Sequence, residues 1–150
     1  MKRISMPLAA APAIVPAAAA LARDLPVPEM YRAMLEANKS GGWVSFANHG
    51  SNQYLYFSAL QTLHCRLKEI RYSINSTDLD KTFAIVPCNP QNPWALPPDS
   101  TPDDTVVIMP LGTAETVAVQ VVWEDGEESD VMVYKPCDNV GDQTCVDIAE

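Results

Sequence analysis

Residues 116–134, TVAVQVVWEDGEESDVMVY, decide the fold class. Val117, Val119, Val121 and Trp123 alternate with their neighbours, so they share one face of an extended strand. Glu124-Asp125-Gly126-Glu127 follows. Asp-Gly between apolar runs is a strong hairpin signal, because glycine supplies the positive φ that a tight turn needs. Val131-Met132-Val133-Tyr134 then forms the return strand. An apolar face of this kind must be buried against a second layer.

Upstream the period stays near two. Thr105-Val106-Val107-Ile108-Met109 is predicted as a strand, ended by Pro110-Leu111-Gly112. Residues 82–86 (TFAIV) form another. Residues 66–75 place Ile70, Tyr72 and Ile74 on one face and Glu69, Arg71 and Ser73 on the other, with a turn at Asn75-Ser76-Thr77-Asp78. Residues 53–63 (QYLYFSALQTL) read as one long strand. Trp43-Val44-Ser45-Phe46-Ala47 reads as a strand ended by the turn-rich Asn48-His49-Gly50-Ser51-Asn52. Between residues 87 and 102, Pro90, Pro93, Pro97, Pro98 and Pro102 exclude a helix or a central strand. Trp94 and Leu96 are expected to pin this connection to the body.

Only one segment has helical spacing. Val27, Met30, Tyr31, Met34 and Leu35 make an apolar stripe, Pro28 and Glu29 suit a first turn, and Ser40-Gly41-Gly42 ends the pattern. The chain is therefore expected to be mainly β. About seven short strands and one short N-terminal helix predict an antiparallel immunoglobulin-like β-sandwich. The expected organisation is a signal peptide over residues 1–22, a linker and amphipathic helix over 23–42, the sandwich over 43–136 and a disulfide-closed tail over 137–150.

Two stretches resemble the small immunoglobulin-like modules attached to many exported enzymes. Glu69-Ile70-Arg71-Tyr72-Ser73-Ile74-Asn75 resembles the Ile-x-Tyr-Thr-x-Asp strand and turn of the C-terminal immunoglobulin-like domain of chitobiases. Residues 117–129, ending in Asp125-Gly126-Glu127-Glu128-Ser129, resemble that module's last hairpin. The likeness spans residues 66–134 and lacks the glycine that follows the module's first turn. It implies a sandwich with an accessory role and carries over no active site.

The N-terminus has the three parts of a secretory signal: Lys2 and Arg3, an apolar run, and Ala20-Leu21-Ala22 before the expected cut. Pro7, Pro12 and Pro16 interrupt the Ala-rich run and argue against a membrane-spanning helix. The product is expected to be exported, periplasmic or extracellular, with no integral membrane span in the mature chain. Cys65, Cys88, Cys137 and Cys145 agree, since an even cysteine count in an exported chain predicts disulfides. Of the three pairings, Cys65–Cys88 with Cys137–Cys145 closes the simplest local loops. Joining Cys88 to Cys137 would instead staple the middle to the C-terminal end.

Charge narrows the partners. Of 10 Lys and Arg, Lys2 and Arg3 belong to the signal, so 8 oppose 19 Asp and Glu in the mature chain, a net −11. Nucleic acid is disfavoured, because phosphate recognition needs clustered cations. No catalytic residue set stands out: the chain has no Gly-x-Ser-x-Gly elbow, P-loop or GxGxxG. A hydrolase could be assembled only from His49 or His64 with Ser51 and a carboxylate. His64 is read as a strand-edge residue beside Cys65. The expected partner-binding residues are Asn92 and Trp94 in the proline-rich connection and Glu124, Asp125, Glu127 and Glu128 at the acidic hairpin. Asp138, Asn139 and Asp142 are candidate calcium ligands on a loop, the only cofactor expected. Trp43, Tyr54, Tyr56, Phe57, Tyr72, Trp94 and Trp123 suffice for a sugar-stacking platform or an interface. Most are expected in the core, Tyr54 and Tyr56 on one strand face and Phe57 on the other, with Trp94 the one expected to stay partly exposed. These features predict an exported, non-catalytic interaction domain for a protein or glycan partner. The alternatives are a structural subunit of a larger extracellular or envelope assembly, and a small secreted hydrolase.

Overall fold

The computed structural model describes residues 9–13 and 25–149. The expected signal peptide lies outside the described residues except for 9–13, which form neither helix nor strand. The chain is mainly β. Among the described residues, eight strands form two antiparallel sheets: β1 (Ser45–His49), β2 (Asn52–Tyr56), β3 (Leu67–Ile74), β4 (Lys81–Phe83), β5 (Val106–Pro110), β6 (Val117–Trp123), β7 (Met132–Lys135) and β8 (Asp147–Ile148). One sheet has the order β1-β2-β5 and the other β4-β3-β6-β7-β8. Two α-helices, α1 (Pro28–Ala37) and α2 (Ser58–Gln61), accompany them.

β6 is the centre of the larger sheet. It pairs with β3 along its length and with β7 through Val117↔Tyr134 and Val119↔Met132. All seven of its residues are buried. Val117, Val119, Val121 and Trp123 enter the core, as their alternation predicts. The opposite face is closed too, because Arg71 reaches Gln120 and Glu128, and Gln120 donates to Ser129 O. Gly126 takes the left-handed turn position at φ +88°. One core cluster draws on both sheets and α1, with Phe46, Leu55 and Met109 from one sheet, Ile70, Val119 and Val121 from the other, and Tyr31 and Leu35 from the helix. Each large side chain buried in this way contributes roughly 1.5–3 kcal/mol.

Residues 53–63 are not one strand. β2 stops at Tyr56, and α2 and a 3-10 turn, His64–Arg66, follow. Phe57, Leu60 and Leu63 are buried three residues apart, the spacing of a helical turn. The stretch changes period inside itself, from the alternation of Tyr54 and Tyr56 to the three-residue spacing of Phe57, Leu60 and Leu63, so a single strand over 53–63 does not fit it. The first turn is shorter than expected. β1 continues through Asn48 and His49, and Gly50-Ser51 closes a two-residue hairpin with Gly50 at φ +59°. The proline-rich connection carries only a 3-10 turn, Pro102–Asp104, capped by Thr101.

α1 begins with Pro28 in its first turn, as expected, but its buried stripe is narrower. Tyr31 and Leu35 are buried while Val27 and Met30 face solvent. The segment after α1 is held by side-chain bonds to main chain: Trp43 donates Nε1–H to Leu35 O at 2.8 Å, and the Tyr134 hydroxyl donates to Lys39 O at 2.7 Å. The tail, which carries little strand pattern, joins both sheets. β8 pairs with β7, and Cys145 pairs with Phe46 on the outer edge of β1.

Candidate functional site

The four cysteines form Cys65–Cys88 and Cys137–Cys145. The first ties the 3-10 turn before β3 to the proline-rich connection. The second closes the loop that lies along β1, where Asn48 N–H donates to Gly141 O at 2.8 Å and Asn48 Nδ2 donates to Val140 O.

The acidic hairpin is exposed, as predicted, but its charges are met within the chain. Arg32 from α1 bonds Asp125 at 2.8 Å and Glu127 at 2.7 Å. Arg66 bonds Glu124 at 2.6 Å, Arg71 bonds Glu128 at 2.9 Å, and Lys39 bonds Asp130 at 2.9 Å. The Lys39 ammonium is raised above its ordinary pKa by its hydrogen bonds to Glu36 and Asp130. The Arg32 guanidinium also lies 5.1 Å from the Trp123 ring centroid, a cation–π distance. Glu124, Asp125, Glu127 and Glu128 therefore fasten the hairpin to α1, to the 3-10 turn before β3 and to β3. Sequence spacing could not show this, since Arg32 and Asp125 are 93 residues apart.

Trp94 is also engaged. It is half-buried and stacks on Tyr31 with ring centroids 4.6 Å apart, which pins the proline-rich connection to α1. Leu96, the other expected pin, is 39% exposed. Asn92 is exposed on the rim of a depression of about 230 Å3 with Cys88, Leu96 and Pro97. Asp138, Asn139 and Asp142 are all exposed. Among the described residues, no three His, Cys, Asp or Glu side chains gather where they could hold a metal ion.

The two histidines serve separate local structures. His49 sits at the end of β1 with its ring edge-on to Tyr54 at 4.7 Å. His64 lies on the 3-10 turn rather than a strand edge and is 2% exposed, with Nδ1 against Gln61 O and Nε2 3.6 Å from Cys65 Sγ.

The outer face of the three-stranded sheet carries a second group of aromatic and apolar residues, with Ala47 and Val106 on it buried. The register places Tyr54 opposite Ile108, and Tyr56 opposite Val106. Phe46, Leu55 and Met109, on the alternate positions, enter the core. Tyr54 and Tyr56 are half-buried, with near-parallel rings 6.1 Å apart. Beside them Ile108 is 49% and Leu111 53% exposed. The row His49, Tyr54, Tyr56 and Ile108 thus combines aromatic area with polar tips, the composition of protein and sugar interfaces. The alternation of Tyr54 and Tyr56 was readable. The contribution of His49 and Ile108 depends on strand register. Among the described residues, no helix is long and apolar enough to cross a membrane. Compared with known proteins, the chain matches no family model, no curated protein and no solved structure.

Proposed function

We propose that the chain is an exported, non-catalytic interaction domain with an immunoglobulin-like sandwich, and that it binds a protein or glycan partner on the outer face of β1-β2-β5. The observation that carries this reading is the row of half-buried His49, Tyr54 and Tyr56 beside exposed Ile108, in a molecule whose acidic hairpin is ion-paired and whose Trp94 is stacked. Aromatic anchors with polar tips dominate binding energy in such interfaces. Two disulfides are compatible with an oxidising compartment outside the cytosol.

The test compares the purified protein with a Tyr54→Ser/Ile108→Lys variant of matched melting temperature. Both are presented to a glycan array and to envelope proteins from the source cell. Capture by the parent, reduced at least tenfold in the variant, supports the reading, and the class captured identifies the partner. Equal capture by both proteins, or none by either, removes this face from consideration.

A structural-subunit role has one observation in its favour. Phe57 N–H donates to Thr105 O and Leu111 N–H to Ser51 O, which sets the ladder phase. Val106 and Ile108 therefore turn their backbone groups away from β2, at the last strand of the sheet. An edge of this kind can accept another strand. The opening is short, because Pro110 has no N–H and its carbonyl is taken by Thr113. Mass by light scattering separates a self-assembling subunit from a monomeric binder.

A further inference from the structure

We propose that Cys65–Cys88 is an exchangeable disulfide that accepts a cysteinyl thiol, with Cys88 the sulfur attacked and Cys65 the thiolate released. This is independent of the binding face described above. The two ends of the bridge stand in unlike surroundings. Cys88 is exposed and lines the depression of about 230 Å3, together with Pro87, Asn89, Asn92 and Leu96. That volume accommodates one or two side chains, and the two asparagine amides can hydrogen-bond a peptide backbone. Cys65 is half-buried against the core.

The second observation is His64. Its Nε2 lies 3.6 Å from Cys65 Sγ, and its ring is almost wholly buried. Nδ1 faces the Gln61 carbonyl, which can only accept, so the proton of the neutral ring sits on Nδ1. Nε2 is left facing sulfur. When the ring is protonated, Nδ1–H donates to Gln61 O and Nε2–H donates to a Cys65 thiolate. A cationic imidazolium lowers the pKa of a neighbouring thiol, and a thiol of lower pKa is the faster leaving group.

The third observation is that the surroundings remain tied when the bridge opens. Gln61 is fully buried and donates Nε2–H to Ala84 O at 2.8 Å and to Asp104 O at 2.7 Å. Its Oε1 accepts from Val86 N–H at 3.4 Å. The segment that leads into Cys88 is therefore held to the turn that leads into Cys65 without the sulfurs. Neither histidine makes a contact of this kind with the other bridge, since His49 packs edge-on to Tyr54 and His64 lies against Cys65.

In the first step a donor thiolate attacks Cys88 Sγ. The donor S–Sγ bond forms, the Cys65–Cys88 bond breaks, and its electron pair leaves on Cys65 Sγ beside His64. In the second step another donor thiolate attacks the donor sulfur of the mixed disulfide and expels Cys88 as thiolate. Two donor thiols end as one disulfide, and Cys65 and Cys88 end as thiols, so two electrons have moved to the protein.

The experiment exposes the purified oxidised protein to reduced glutathione, or to a reduced unfolded model protein, followed by acid quench, alkylation and mass mapping. Cys65–Cys88 is expected to open at least tenfold faster than Cys137–Cys145, with the donor trapped on Cys88. Exchange with either donor supports the proposal, and the faster one identifies the thiol source. In a Cys88→Ser variant, thiolate absorbance is expected to place Cys65 at least one unit below the ordinary thiol value of about 8.5. His64→Gln is expected to slow opening at least tenfold in protein whose circular dichroism is unchanged. Equal opening of both bridges, a donor trapped on Cys65, or an ordinary Cys65 titration in Cys88→Ser overturns the proposal. The titration tests the proposal even if the histidine variant fails to fold.

Discussion

Phe46 and Cys145 exchange both of their backbone hydrogen bonds, Phe46 N–H to Cys145 O at 3.1 Å and Cys145 N–H to Phe46 O at 2.8 Å. The Cys137–Cys145 loop thereby covers the outer edge of β1, where open backbone groups would otherwise invite pairing with another chain. Replacing both cysteines by alanine removes a loop constraint worth about 2.5 kcal/mol. Hydrogen exchange is expected to accelerate at the Phe46 and Asn48 amides while Val119 and Val121 stay protected. Equal acceleration at all four sites would mean that the loop does not act locally.

Arg32 joins α1 to the hairpin through Asp125, Glu127 and the Trp123 ring. Each exposed pair is worth only about 0.2–1 kcal/mol. Arg32→Ala loses all three contacts and is expected to lower stability by about 1–2 kcal/mol. Arg32→Lys, which cannot reproduce the planar fork, is expected to recover less than half. Urea denaturation at low and high salt checks this, with the parent-to-variant difference shrinking in salt.

Gln61 substitutes for a strand partner to three separate backbone groups. Gln61→Leu preserves volume but leaves the buried Val86 N–H and the less buried Ala84 and Asp104 carbonyls without this partner, at about 1–3 kcal/mol for each group that water does not reach. The expected total loss is about 2–4 kcal/mol, with water recovering part of it. A loss below about 0.5 kcal/mol, taken as the midpoint shift multiplied by the m-value, would show that the site is wet.

Burial holds the hydroxyls of Tyr134, Tyr72 and Tyr31 above the ordinary tyrosine value of 10.0. The unfolded chain releases these protons first as pH rises, while the folded chain retains them. Their contribution is therefore complete below pH 10 and falls as pH rises toward the folded values. Lys39 acts in the same direction, since its pKa is raised above 10.5 by Glu36 and Asp130. Denaturant midpoints are expected to fall steeply above about pH 10. Tyr134→Phe should flatten that fall.

Much of the fold was legible because its signals are local. The β6–β7 hairpin follows from strict alternation and Asp125-Gly126. The start of α1 follows from Pro28, and the pairing of Cys65 with Cys88 from loop closure. Residues 53–63 fold as strand then helix because the period changes at Phe57, where Phe57, Leu60 and Leu63 take three-residue spacing and are buried, Phe57 against Tyr72 and Phe83 of the other sheet. The site was less legible. Asp125 and Glu127 have the composition of a binding edge, and nothing near them in sequence announces Arg32.

The sequence by itself determined the period-two strands, the turn positions and the two cysteine loops, because each depends on residues within one turn or one short loop. Only the tertiary structure decided which surfaces remain free. The hairpin carboxylates pair with Arg32 of α1, Arg66 and Arg71, Trp94 stacks on Tyr31, and the unpatterned tail closes β1. On the three-stranded sheet, half-buried Tyr54 and Tyr56 and exposed Ile108 are brought onto one face by a strand register that spans more than fifty residues. Exposure is a property of what packs against a side chain, and that is set by long-range contacts.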